Sequence, residues 1–288
     1  MMRTRGWCLL FVASCICPHD ALAQEPFPPV SLPNTELRAL SSVTTGIGYK
    51  LYVSLPGDYE ATGRSYPVVY LLDADYSFAV ARNMVEHLSD RGHLKQAILV
   101  GIAYDGPDAY RMNRTRDYTP TYVPTGGYGA AYQTVSGGGP SFLDFIVTEL
   151  VPFVAREYRA SSERYLVGHS YGGLFATWTA LTAPDFFDGY VIVSPSLWYD
   201  EGMIFDLEER VAESRIDWPV RLYLTVGSRE INQQHDMVAD LRRLAATLEG
   251  REYARLRLAW DVAEGETHNS VFPRALSNGL RFVLEGRE

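Results

Sequence analysis

Cysteine is nearly absent from this chain. Its 288 residues include three cysteines, and all of them, Cys8, Cys15 and Cys17, lie close to the N-terminus. Removal of an N-terminal leader would therefore leave no thiol at all. We expect the remaining chain to have no disulfide bonds and to depend on its hydrophobic core for stability, even in an oxidising compartment.

Clustered basic charge is also lacking. Lysine occurs only at Lys50 and Lys95, and the formal net charge of the chain is −9. Proteins that bind nucleic acids need a concentrated basic surface, because much of their affinity comes from releasing the counterions of the phosphate backbone. The composition therefore argues against a nucleic-acid partner.

The N-terminus has an apolar stretch, but this stretch is too short to span a membrane. Arg3 and Arg5 precede the apolar residues from Trp7 to Cys17, whereas a spanning helix needs about 20 residues. Ala21 to Ala23 then forms a small-x-small cleavage site. This pattern is typical of a secretory signal peptide over residues 1–23. It predicts a periplasmic or secreted protein with no membrane span.

A second interpretation of the same segment is a bacterial lipobox. Residues 12–15 resemble that motif, which would leave Cys15 lipidated and the protein tethered. Plain cleavage after Ala23 is favoured, because a lipobox would leave a very short apolar region. Residues 24–36 carry four prolines and predict an extended lead-in. Residues 37–288 are then expected to form a single globular domain.

Beyond the lead-in, short apolar runs alternate with amphipathic segments. Alternation between Leu37 and Leu55 predicts two strands, around Ser42–Thr44 and Tyr49–Val53, joined as an antiparallel hairpin at Gly46–Gly48. Further strands are predicted at 67–73, 96–104, 165–167, 189–194, 220–226 and 256–262, and helices at 77–88, 142–158, 203–214, 234–248 and 271–284. Strands alternating with helices predict an α/β fold with a mostly parallel central sheet and helices on both faces.

Between residues 105 and 140 this alternation stops. The segment is rich in glycine, proline and tyrosine, and we expect a long connection without secondary structure of its own. Such connections are usually functional or disordered. Arg111, Arg114 and Arg116 would supply the cations of an aromatic and cationic wall. The alternative is a solvated surface loop, in which Arg116 and Asp117 form ordinary ion pairs.

The chemistry is concentrated in a Gly-x-Ser-x-Gly turn formed by Gly168, Ser170 and Gly172. An apolar run precedes the turn, and small and apolar residues at helical spacing follow it, which predicts a strand, a sharp turn and a helix. In such a turn the serine hydroxyl projects from strained backbone at the edge of the sheet. Ser170 is therefore the candidate nucleophile. The alternative is a glycine-rich turn whose serine only caps the helix.

A serine nucleophile needs a general base, and His268 is the candidate. In α/β hydrolases the chain order is serine, acid, histidine, with the histidine in a loop after the last strand. His268 lies 98 residues after Ser170, in such a loop. The remaining histidines fit less well, because they belong to the leader, precede the serine, point away from it as its neighbour, or begin a helix: His19, His87, His93, His169 and His235.

Three alternatives remain for how the base is oriented: two different acids, or no acid at all. Glu230 follows strand 220–226, where the seventh strand of such folds presents its carboxylate, and is favoured. Asp236 lies one or two helical turns further on. A serine–histidine dyad without an acid is the third, because many carboxylates at strand ends have no catalytic role.

The elbow also supplies an oxyanion donor, the backbone N–H of Tyr171, and the second donor is expected from Asp75 or Ala74 after strand 67–73. This chemistry implies no metal and no organic cofactor. The candidate substrate contacts are Arg111, Arg114, Trp198 and His169.

With these residues placed, residues 37–285 resemble the esterase D family of α/β hydrolases. The motifs that carry the resemblance are YPVVYLLDADYSF at 66–78, RTRDYTPT at 114–121, ERYLVGHSYGGLFA at 163–176, SPSLWY at 194–199 and GETHNSVF at 265–272. The resemblance implies an α/β-hydrolase fold and a serine esterase. The motifs GHSYGGLFA and SPSLWY are most similar to the bacterial periplasmic esterases that cleave trilactone siderophores of the enterobactin and bacillibactin type.

The expected function is therefore hydrolysis of a bulky polar ester through an acyl-enzyme, with a ferric catecholate trilactone as the first candidate substrate. About twenty residues separate Trp198 from the next strand, which leaves no room for the large lid that a lipase would use. The alternatives are a feruloyl or acetyl esterase acting on carbohydrate, or an acyltransferase on the same fold. A non-catalytic binding module is disfavoured, because both Ser170 and His268 are intact.

Overall fold

The computed structural model describes residues 30–104 and 107–285. Contacts divide the chain into residues 1–32 and 33–288, and the fold is that of the second unit. The predicted signal peptide, the lipidation site at Cys15 and most of the lead-in lie outside the described residues. None of the described helices is both long and apolar enough to cross a bilayer.

The predicted antiparallel hairpin is confirmed, but its first strand begins earlier than expected. Strand β1 (Thr35–Ser41) pairs with β2 (Gly48–Ser54), starting inside the expected lead-in. Residues 42–44, which were predicted as strand, form the turn instead. The Glu149 carboxylate accepts hydrogen bonds from the backbone N–H of Val43 and Thr44 at 3.0 and 2.8 Å. The backbone N–H groups of the turn therefore bond the Glu149 carboxylate, and not a neighbouring strand.

The predicted parallel sheet is also confirmed. It has eight strands in the order β1-β2-β4-β3-β5-β6-β7-β8, and every pair from β4 to β8 is parallel. The remaining strands are β3 (Tyr66–Leu71), β4 (Ile98–Ala103), β5 (Ala160–His169), β6 (Gly189–Val193), β7 (Arg221–Gly227) and β8 (Arg257–Ala263). β3, β4 and β6 are buried along their whole length, as continuous apolar runs require in a sheet covered on both faces.

Helices cover both faces of this sheet, as in other α/β-hydrolase folds. The helices are α1 (Ala74–Asp90), α2 (Pro107–Tyr118), α3 (Ala130–Gln133), α4 (Gly139–Phe145), α5 (Val151–Glu157), α6 (Tyr171–Thr182), α7 (Met203–Ala212), α8 (Met237–Gly250) and α9 (Val271–Val283). α1 packs against α9, whereas α6 packs against α2 and α7. Between β6 and β7 the chain forms only a 3-10 turn, Tyr199–Gly202, and α7, which confirms the expected absence of a large lid there.

The expectation of an unstructured connection from 105 to 140 is wrong. α2 occupies its first third and α3 forms one turn further on. The hydrophobic pattern failed here because α2 buries polar side chains, among them Arg114, Thr115 and Asp117. Arg114 and Asp117 form hydrogen bonds with other buried groups, and these bonds replace the apolar stripe that normally reveals a helix.

The helix predicted at 142–158 forms, and Pro152 is accommodated by a local change of winding. α4 and α5 are joined by a π-helical turn, Ile146–Leu150, which ends two residues before Pro152. Proline has no N–H and its ring crowds the preceding turn. A wider turn at this point lets the helix continue past the proline.

A glycine of α9 provides a test of how closely the helix packs on the sheet. A Cβ at Gly279 would lie 2.4 Å from Val191 Cγ1 and 2.8 Å from Tyr223 Cδ1. We expect Gly279→Ala to lower the free energy of unfolding by about 1–3 kcal/mol through overpacking, in spite of the better helix propensity of alanine.

Gly250→Ala, at the end of α8, is the matched control, because a Cβ there would have no atom within 4 Å. It should leave stability unchanged or raise it by roughly 0.5–1 kcal/mol. Urea denaturation measures both, and equal effects of the two substitutions would contradict the close packing of α9.

Candidate active site

Ser170 lies in the turn between β5 and α6, as predicted. Its backbone has φ 60° and ψ −116°, a conformation that non-glycine residues rarely adopt. Gly168 makes the turn sterically possible, since a Cβ there would lie 2.1 Å from the carbonyl oxygen of Gly172. The strained turn places Ser170 at the carboxyl edge of the sheet, where the loops after the parallel strands meet.

Glu230 and His268 come together at this edge. Glu230 Oε2 lies 2.6 Å from His268 Nδ1. The other carboxylate oxygen, Oε1, accepts hydrogen bonds from Ser194 Oγ and from the backbone N–H of Gly227, each at 2.6 Å. The carboxylate is buried, whereas the His268 side chain is 38% exposed. Glu230 is therefore fixed on one side by the sheet and presents its free oxygen to the imidazole.

The alternative acid, Asp236, has a different role. Asp236 is the N-cap of α8, and its Oδ1 accepts a hydrogen bond from the backbone N–H of Ala239 at 2.8 Å. An aspartate in this position satisfies one of the free N–H groups of the first helical turn. The geometry thus favours Glu230 over Asp236 as the partner of His268.

Ser170 and His268 line the same cleft, which has a volume of about 390 Å³. Its walls consist mainly of aromatic rings, with the hydroxyl of Ser196 and the side chain of Asn269 among them. The lining residues are Tyr76, Tyr110, Arg114, Gly127, Tyr128, His169, Ser170, Tyr171, Ser196, Trp198, His268 and Asn269. No group of three or more His, Cys, Asp or Glu residues within 30–104 and 107–285 has the geometry to hold a metal ion.

Arg114, expected as a substrate contact, is buried and bonded to the protein. Its guanidinium donates to both carboxylate oxygens of Asp73, at 2.7 and 3.2 Å. It also donates to the carbonyl of His169 at 3.0 Å and to the Tyr128 hydroxyl at 2.9 Å. The Asp73 carboxylate beside it keeps the pKa of Arg114 well above its ordinary value in spite of burial. These bonds indicate that Arg114 holds the nucleophile turn against the end of β3.

Of the other three expected substrate contacts, Trp198 and His169 line the cleft, whereas Arg111 is not among its lining residues. Trp198 is half-buried and stacks on the His235 ring, with centroids 4.0 Å apart. Arg111 is exposed, and its guanidinium carbon lies 6.0 Å from the centroid of Tyr128. His169 is buried in the cleft wall, where its Nε2 lies 2.8 Å from the carbonyl oxygen of His268. Arg116 pairs with Asp117, but the Asp117 side chain is fully buried in α2 and does not lie in the solvated surface loop that the alternative interpretation expected.

The two expected oxyanion donors are backbone N–H groups at helix N-termini. Tyr171 begins α6, and Asp75 stands in the first turn of α1, where N–H groups have no acceptor within the helix. The Asp75 carboxylate turns to the neighbouring strand end, where it accepts hydrogen bonds from the N–H of Tyr104 at 3.1 and 3.0 Å. Burial raises the pKa of this carboxyl to about 6.

Several residues of the site could not be identified from the sequence. Asp73, Tyr76 and Ser194 each bond a residue that was predicted to be functional. Asp73 and Ser194 end their strands with positive φ, at 56° and 43°. The only sequence signal was their position directly after a buried strand, which many structural residues share.

Comparisons with known proteins show that the chain is similar to esterases. The model of the Esterase family, described as "Putative esterase", matches residues 42–275. The chain is 30% identical over 264 residues to the ferri-bacillibactin esterase BesA of Bacillus subtilis, covering 88% of this chain and 91% of that protein. It is 30% identical over 272 residues to the siderophore enterobactin esterase of Emericella nidulans, covering 82% and 89%. The crystal structure of an IroE-like serine hydrolase from Shewanella oneidensis superposes with a TM-score of 0.78 and 29% identity, covering 87% and 80%.

The structural role of the buried Arg114 can be tested by comparison with Arg111, which is exposed. Arg114→Met leaves the Asp73 carboxylate buried without its cation, so we expect unfolding free energy to fall by about 3–5 kcal/mol. Arg111→Met, at an exposed position, should change it by less than about 0.5 kcal/mol. Urea denaturation of the two variants measures the difference. A loss below about 1 kcal/mol for Arg114→Met would show that the ion pair does not hold the site together.

Proposed function

The chain belongs to the Esterase family, and from this premise we propose that it is a serine esterase that hydrolyses a catecholate trilactone siderophore. The observation that carries the proposal is the pairing of Glu230 with His268 at 2.6 Å in the cleft that Ser170 also lines. More finely, we assign the chain to the esterase D branch. We also propose that residues 1–23 are a signal peptide that directs it to the periplasm or the exterior.

In the proposed mechanism, Ser170 Oγ attacks the ester carbonyl carbon while its proton passes to His268 Nε2. Nε2 is the available nitrogen, because Nδ1 is bonded to Glu230. The Glu230 carboxylate fixes this tautomer and stabilises the imidazolium that forms. His268 then returns the proton to the leaving alkoxide as the ester C–O bond breaks. Water, activated by the same imidazole, finally releases the acid from the acyl-enzyme.

The contact between the Ser170 and His268 loops supports this pairing. The rings of His169 and His268 lie 4.5 Å apart, so the residue before the nucleophile touches the base. The nucleophile–base hydrogen bond is often long in a free enzyme and shortens when substrate binds. We therefore propose Ser170, His268 and Glu230 as the catalytic triad.

The oxyanion of the tetrahedral intermediate would be held by the N–H groups of Tyr171 and Asp75. α1 and α6 follow β3 and β5, which are neighbours in the sheet, so their N-termini converge on one point. The partial positive charge of each N-terminus favours an anion there. Donors of this kind act on charge that develops only in the transition state, which is why they raise kcat.

The shape of the cleft supports a bulky polar substrate over a lipid. Tyr76, Tyr110, Tyr128 and Trp198 provide aromatic faces, which suit a substrate built on aromatic rings. Arg111, beside Tyr128, would supply a cation for an anionic ferric complex. A ferric catecholate trilactone combines aromatic rings, negative charge and ester bonds. The names of the two siderophore esterases similar to this chain support the same substrate class.

The role of Glu230 can be separated from that of Asp236. Glu230→Gln would place an amide NH₂ opposite His268 Nδ1 and force the wrong tautomer, so we expect kcat to fall by about 10³- to 10⁴-fold. Asp236→Asn is the matched control and should leave kcat unchanged, because Asp236 caps α8. Steady-state hydrolysis of p-nitrophenyl acetate measures both. A near-normal kcat for Glu230→Gln would favour a serine–histidine dyad.

The substrate is tested by competition. Purified enzyme is offered ferric enterobactin, feruloyl-arabinose, acetylated xylan and S-formylglutathione together, with products identified by mass. We expect preferential cleavage of ferric enterobactin and no cleavage by Ser170→Ala. Turnover by folded Ser170→Ala would refute the serine mechanism. Preference for feruloyl or acetyl sugars would refute the substrate, and products in which the acyl group joins an added alcohol would identify an acyltransferase.

A further inference from the structure

His169 makes hydrogen bonds through both ring nitrogens and through its backbone carbonyl. Nε2 lies 2.8 Å from the carbonyl oxygen of His268, and Nδ1 lies 3.0 Å from the Tyr76 hydroxyl. The carbonyl oxygen of His169 accepts a hydrogen bond from Arg114. The ring therefore lies between α1, which carries Tyr76, and the loop that carries the general base.

These bonds define the tautomer of His169. A carbonyl oxygen can only accept, so Nε2 must carry the hydrogen that binds His268. Burial, together with the neighbouring His268 and Arg114, lowers the pKa of His169 well below its ordinary value, so the ring is neutral. Nδ1 then has a lone pair, and the Tyr76 hydroxyl donates to it.

The contacted loop has few other connections to the nucleophile strand. The loop spans residues 264–270, between the end of β8 and the start of α9. Its backbone–backbone hydrogen bonds run within the loop, to the end of β8, to the start of α9 or to the loop after β7, as in Arg229 N–H to Glu266 O at 3.0 Å. The bond from His169 instead joins the loop to β5, one residue before Ser170.

From this arrangement we propose that His169 is a positioning residue for the general base. Its Nε2–H bond to the His268 carbonyl fixes the distance between the loop that carries the imidazole and the turn that carries the nucleophile. Glu230 orients the imidazole from the side of β7, and His169 holds its backbone from the side of β5. The proposal rests on the proposed function, because it assigns His268 the role of base.

Two amide substitutions distinguish this role from simple packing. The amide nitrogen of glutamine reaches about as far as Nε2 of histidine, whereas that of asparagine is too short to reach the His268 carbonyl. We expect His169→Asn to lower kcat for p-nitrophenyl acetate by about 10- to 100-fold with KM nearly unchanged, as for other misplaced catalytic groups. His169→Gln, which keeps the donor, should retain kcat to within about threefold.

The controls keep the test independent of folding and of the proposed function. His87→Asn, at an exposed position of α1, should not change kcat. Thermal melting identifies folded variants, and if His169→Asn does not fold, His169→Met replaces it as a variant that fills the space without a donor. A folded Asn or Met variant with normal kcat, or a Gln variant as slow as these, would overturn the proposal. Turnover that survives Ser170→Ala would instead refute the proposed function itself.

Discussion

The close approach of backbone at the β5–α6 turn is the constraint on which the site depends. A Cβ at Gly168 would lie 2.1 Å from the carbonyl oxygen of Gly172, so position 168 tolerates no larger residue without movement of the turn. A Cβ at Gly173 would likewise lie 2.9 Å from the carbonyl oxygen of Val193. The helix can therefore begin directly at the strand end, which brings Ser170 and the N–H groups that follow it to the edge of the sheet. A larger side chain at Gly168 or Gly173 would push α6 away from β5 and move the Ser170 hydroxyl away from the edge of the sheet.

Strain at three neighbouring strand ends accompanies this constraint. Asp73, Ser170 and Ser194 follow β3, β5 and β6 and all have positive φ, which costs on the order of 1–3 kcal/mol each for non-glycine residues. The surrounding bonds compensate for it. Asp73 pairs with the buried Arg114, and Ser194 donates to Glu230. Strain and polar bonds thus occur together at this edge, and each of these three residues either belongs to the site or bonds a residue that does.

The order of elements could be read from the sequence, because apolar runs and helical spacing are local properties. The hairpin, the parallel sheet and all predicted helices are present in the fold. The prediction failed at α2 because this helix is stabilised by polar partners that are distant in the sequence. Arg114, for example, bonds Asp73, which lies 41 residues away. The first hairpin strand was predicted too late in the sequence for a similar reason. Its turn is bound by Glu149, which lies 105 residues from Thr44.

By itself, the sequence determined the strand–turn–helix at Ser170 and the loop position of His268, because glycine spacing and flanking apolar runs act over a few residues. It left open whether Glu230, Asp236 or no acid at all orients His268, and it predicted Arg114 and His169 as substrate contacts. Which carboxylate bonds His268, and which side chain bonds its carbonyl oxygen, depended on the tertiary structure. In the sequence, Glu230 lies 38 residues from His268 and His169 lies 99 residues from it. Hydrogen bonds of this kind depend on distances of a few tenths of an ångström. Such distances are set by the packing of the whole sheet, and no local pattern in the chain encodes them.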